Sequence, residues 1–110
     1  MAVDSSSLVP KMLSAAAGVI GPKWSEAQDY AKSEFLKISQ SILFIEEQLA
    51  LDKMTREQAQ LHLDLQKNAS RAVLLTLEGL GILGAEAAIN AALGAIKDVV
   101  NGALKFTLIA

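Results

Sequence analysis

A chain of 110 residues, 52% of them hydrophobic and 20% charged, has the length of one domain and the apolar content to build one core. Its net charge is −2 and its lysines and arginines do not cluster, so no electrostatic footprint for a nucleic acid is visible. Cysteine is absent, which excludes a disulfide framework and a thiol nucleophile and fits a cytoplasmic protein.

Aromatic residues are only 5%. The apolar fraction is therefore Ala, Leu, Ile and Val, a composition that favours closely packed helices over a β-sandwich. The prolines are Pro10 and Pro22, so residues 23–110 permit long helices. A secretory leader is not expected, because the first ten residues carry Asp4 and no cation. No uncharged run reaches the roughly 18 residues of a transmembrane helix; the longest after residue 22 is Ala87–Ile96. The nearest approach is Ala72–Ile96, interrupted by Glu78 and Glu86.

Residues 1–22 read as an N-terminal apolar arm and 23–110 as the helical bundle domain. In the arm, Ser5-Ser6-Ser7 is linker-like or caps a short helix. Leu8, Val9, Met12, Leu13, Ala16, Val19 and Ile20 follow at helical spacings, with Pro10 in an early turn and Gly18, Gly21 and Pro22 as stops. Such an arm docks on the body or on a neighbour, or lies on a membrane surface. Lys11 is its single cation, where interfacial helices usually carry several.

Residues 23–52 predict an amphipathic helix with Ser25 as N-cap, Trp24 as a staple and Glu26 and Asp29 in the first turn. The ladder Ala27, Ala31, Phe35, Ile38, Ile42, Ile45, Leu49 traces one face, and Leu36, Leu43, Phe44 and Leu51 widen it. Leu51–Thr55 reads as a tight turn, with Thr55 and Gln58 spaced as a capping box. The next helix, from Arg56 to Leu77, should fold back antiparallel. Ala59, Leu63, Gln66, Ser70, Val73 and Leu77 share its face, flanked by Leu61, Leu65, Ala69 and Ala72, while Asp64, Lys67 and Arg71 mark a wet stripe.

Gly79, Gly81 and Gly84 predict a break or kink, buried because Leu80, Ile82 and Leu83 lie among them. A last helix is expected over 85–106, with the stripe Ile89, Leu93, Ile96, Val100, Leu104 and the smooth flank Ala88, Ala91, Ala92, Ala95. Asn90, Lys97, Asn101 and Lys105 form its polar edge, and the apolar tail Phe106–Ala110 should dock on something. The fold class is all-α: an antiparallel helical hairpin plus a third Ala/Gly-rich segment, bundle-like and completed by self-association.

Catalytic chemistry is not expected. His62 is the single histidine. Glu57 precedes it by five residues, which does not match the Glu-x-x-His of di-iron bundles, and Glu46 and Glu47 approach it at best across the hairpin. Gly79-x-Gly81-x-x-Gly84 has the letters of a dinucleotide loop without the surrounding strands. Asn68-Ala69-Ser70 is a glycosylation sequon by letters only. No metal, cofactor, nucleic acid or small-molecule substrate is expected.

The positive signal is apolar helix surface in excess of what a monomer of this size easily hides. Ala88, Ile89, Ala92, Leu93, Ile96 and Val100 are the candidate interface, with a second copy as partner. The expected function is a non-enzymatic structural or assembly protein, the helical protomer of a homo-oligomer. The alternative is a membrane-active helical protein whose small residues suit helix packing in lipid. Small Ala/Gly-rich helical chains of this kind occur widely in bacteria and phages, too unspecifically to carry a function over.

Overall fold

Asp4 starts the first helix, α1, Ser5–Ile20. In the computed structural model, which describes residues 4–77 and 79–110, its carboxylate accepts from the Ser6 amide at 2.9 Å and the Ser6 hydroxyl at 2.8 Å. The cap is therefore the aspartate ahead of the serine run, with Ser6 as its donor. Pro10 lies inside the helix; it cannot donate to Ser6, but both residues are exposed, so that carbonyl stays within reach of solvent. Leu8, Met12, Ala16 and Ile20 repeat every fourth residue and all are buried. Gly21, at φ 66° and ψ −126°, ends the helix in a conformation that glycine alone adopts comfortably. Met1–Val3, the start of the predicted arm, lie outside the described residues.

A 3₁₀ turn, Gly21–Lys23, runs straight into α2, Trp24–Ala50. The Trp24 amide donates to the Gly21 carbonyl, so the turn supplies acceptors and Ser25, expected as N-cap, is not one. Trp24 packs half-buried on the core. The expected ladder is the buried face: Ala27, Ala31, Phe35, Ile38, Ile42 and Ile45 are buried, and Leu49 packs beside them. Of the widening residues only Leu43 joins the core; Leu36, Phe44 and Leu51 are exposed. Glu34 and Ser39 are buried, Glu34 paired with Lys37 at 3.0 Å and Ser39 donating to the Leu36 carbonyl at 2.8 Å.

Asp52, at φ 57°, turns the chain, and α3 follows as Arg56–Leu74. The Thr55 capping box is present in full: Gln58 N–H donates to Thr55 Oγ1 at 3.1 Å and Thr55 N–H to Gln58 Oε1 at 2.9 Å. Ala59, Leu63, Ser70 and Leu74 are buried. The core face is thus centred on Leu63 and Leu74; Leu61 and Leu65 point outward and Lys67 and Arg71 flank α4.

The helix unwinds at Leu75–Leu77 through i to i−3 bonds, Thr76 N–H to Val73 O and Leu77 N–H to Leu74 O. Gly79 and Gly81, at φ 83° and 72°, carry the reversal. Glu78 lies outside the described residues. The break therefore precedes Gly81, and α4 occupies Gly81–Leu104 with Gly84 inside it. A Cβ on Gly84 would lie 3.0 Å from Leu80 Cδ1, so the glycine lets Leu80 fold over the first turn.

These helices form an all-α bundle without a strand among the described residues. Contacts run from α1 to α2, α2 to α3, α3 to α4 and α4 back to α1, with α1 and α3 at opposite corners; the α1–α4 seam is the most extensive and the α3–α4 seam the thinnest between ring neighbours. The arm region thus provides a fourth helix that lies along both α2 and α4, in a molecule measuring 43 × 22 × 20 Å. Its core is dominated by Phe35, Leu8, Met12, Ile38, Ile42, Ile45, Leu63, Leu74 and Ile96.

Lys105 ends α4 in the left-handed conformation at φ 62°, its amide on the Asn101 carbonyl. The tail then folds back. Asn101 Oδ1 accepts from the Leu108 and Ile109 amides at 2.9 and 3.0 Å, and its Nδ2 donates to the Ile109 carbonyl at 2.8 Å. Leu108 and Ile109 are buried, and Arg56 of α3 stacks 5.1 Å from the Phe106 ring centre.

Candidate functional site

The six stripe residues singled out on α4 come together as expected for one helix face, and all are covered within the single chain: Ala88, Ala92, Ile96 and Val100 are 0% exposed, Ile89 3% and Leu93 4%. The most extensive seam of α4 is with α1, while Ile89 lines a cleft with α3 and Leu93 one with α3 and the tail. Small side chains at 85, 88 and 92 let the helix axes approach, since interaxial distance follows the side chains at the contact.

His62 faces the α2–α3 groove. Its ring centre lies 5.2 Å from that of Phe44, tilted by 33°, and Lys37, Gln40, Ser41 and Gln66 complete the groove. His62 Nδ1 and Glu46 Oε2 are both shielded and have no hydrogen-bond partner among the described residues. No group of three or more metal-ligating side chains is found among the described residues. The α2–α3 pairing thus brings one imidazole beside an aromatic ring, with Ser41 lining the same groove.

Two small clefts adjoin along the α3–α4 seam and share Lys67 and Asn90. One, of about 150 Å³, includes the Arg71–Glu86 ion pair at 3.0 Å. The other, of about 190 Å³, is floored by Leu63 and Leu93 and closed by Leu108 and Ile109 of the tail. Both are smaller than the roughly 300 Å³ at which small-molecule pockets begin, whereas the groove beside His62 measures about 370 Å³. On the wet stripe, Asp64 accepts from Gln60 at 3.1 Å. Gly81 and Gly84 lie in the first turn of α4 with no strand before them among the described residues, which removes the dinucleotide reading.

The surface feature that stands out is apolar. On α3, Leu61 and Leu65 are 60% and 62% exposed, and Ala69 and Ala72 are exposed on the same side. At the start of α4, Ile82 and Leu83 are exposed as well. Sequence spacing placed Leu61 and Leu65 beside the core face; only the packing of α4 and the tail onto the Leu63 side turns them outward. No helix of the described residues is long and apolar enough to cross a membrane. No protein family, no curated protein and no solved structure matches this chain.

Proposed function

We propose that this protein is a non-enzymatic assembly protein, a helical protomer that associates with further copies of itself in the cytoplasm. The observation that carries the reading is the pair of large aliphatic side chains on successive turns of α3, Leu61 and Leu65, both more than half exposed beside Ala69 and Ala72. Scattered exposed leucines need no explanation, but a contiguous helical stripe of them does. The α4 stripe lies inside the chain, so contact with a second copy has to use other surface. Sedimentation equilibrium without detergent, across a concentration series, tests the reading: the mass should rise above that of one chain, and a monomer throughout would overturn it.

A further inference from the structure

Successive positions of an α-helix advance by about 100°, so Leu61, Leu65 and Ala72 fall within one narrow sector of α3 and Ala69 lies at its edge. All four are exposed. The stripe is graded: its N-terminal half carries the leucines and its C-terminal half the alanines, with the exposed Asn68 at its opposite edge. We infer that the outer face of α3 is a self-complementary surface that pairs antiparallel with α3 of a second copy, Leu61 and Leu65 of each entering the space over Ala72 and Ala69 of the other. This rests on the self-association reading and adds the surface, the partner and the register.

Two features select that arrangement. Facing positions that combine a large with a small side chain interdigitate, whereas like against like leaves gaps or clashes. An antiparallel pair about a twofold axis sets Leu61 against Ala72 at both ends, with the two Leu65 side chains meeting only near the axis, whereas a parallel pair gives Leu on Leu and Ala on Ala throughout. The twofold also keeps the α4-facing edge of one α3 beside the same edge of the other, in reversed direction. Asp64 and Arg71 lie on that edge, and in this register Asp64 of each copy comes alongside Arg71 of the other. Arg71 already holds Glu86 at 3.0 Å, and a guanidinium has donors for a second carboxylate. A single helix face lies at the small, transient end of protein interfaces, so association at high protein concentration is expected rather than an obligate dimer.

The natural absence of cysteine makes cross-linking a clean test. Leu61→Cys and Ala72→Cys are both substitutions at exposed positions, and circular dichroism checks that each variant folds. In the antiparallel register, two copies of Leu61→Cys hold their thiols about 16 Å apart along the helix axes, beyond disulfide reach. Neither variant alone should then shift to covalent-dimer mass under mild oxidation, and an equimolar mixture should. Self-cross-linking of each variant alone would establish a parallel pairing and overturn the inference; so would no cross-link in any arm. Sedimentation of the unsubstituted protein separates the two failures. If it self-associates while the mixture stays uncross-linked, the surface is wrong and the assembly reading stands. If it is monomeric throughout, both fall. As a second measurement, Leu65→Glu should return the associated mass to that of one chain, and unchanged association would again overturn the surface.

Discussion

Asn101 does for the tail what a neighbouring strand does in a sheet: its side-chain amide offers an acceptor to two main-chain amides and a donor to one carbonyl. Asn101→Ala removes all three bonds next to the buried Leu108 and Ile109. The expected cost is about 2 kcal/mol in denaturant unfolding, with faster amide exchange at Leu108 and Ile109; unchanged exchange there would show that apolar burial alone holds the tail. Asp4 gives a pH-dependent counterpart. Hydrogen bonds from the Ser6 amide, then the Ser6 hydroxyl, hold its carboxyl below the usual carboxylate value. A folded-state pKa below the unfolded one means the cap stabilises α1 above the ordinary aspartate value and is lost as pH falls through the lowered one. An NMR titration should place the Asp4 midpoint under that of an unstructured aspartate, and exchange in the first turn of α1 should rise through the same acidic range. A midpoint at the ordinary value would remove the cap.

At the scale of the elements, α4 is held by its small residues. Ala92 is fully buried on the core face of α4, whose most extensive contact is with α1. Ala92→Glu forces a carboxylate into that face at a cost of several kcal/mol, so thermal unfolding should move down sharply or the chain should fail to fold; unaltered stability would mean the seam is not closed in solution. The α2 ladder and the Thr55 capping box were legible in the sequence because each is local: a period of 3.6, and a Thr and a Gln three residues apart. The place of α1 was not. A short apolar segment ending in Gly21 and Pro22 reads alike whether it docks at home or elsewhere, and only tertiary packing decides it. The α4 stripe was legible as a buried face, but which helix buries it is not written in its period. The break was sought among Gly79, Gly81 and Gly84, yet only the first two need positive φ, and Gly84 is accommodated as a helical residue. Asn101 looked like a wet edge because a side chain's reach to residues seven and eight positions on leaves no periodic trace.

At the scale of the whole molecule, the ring of helices is closed by its first and last members, and the α1–α4 seam is the most extensive contact. That arrangement has a consequence in time. The α2–α3 hairpin joins neighbours in sequence, whereas the α1–α4 seam must close a loop that spans most of the chain, and loop closure of that kind is slow relative to local pairing. A chain leaving the ribosome therefore has α1 waiting, with Leu8, Met12 and Ala16 uncovered on one side, until the last quarter of the sequence arrives. Pulse-labelled hydrogen exchange during refolding should protect the amides of α2 and α3 ahead of those of α1 and α4. Simultaneous protection of all four would mean that the last seam, and not the hairpin, sets the pace at which this protein acquires its structure.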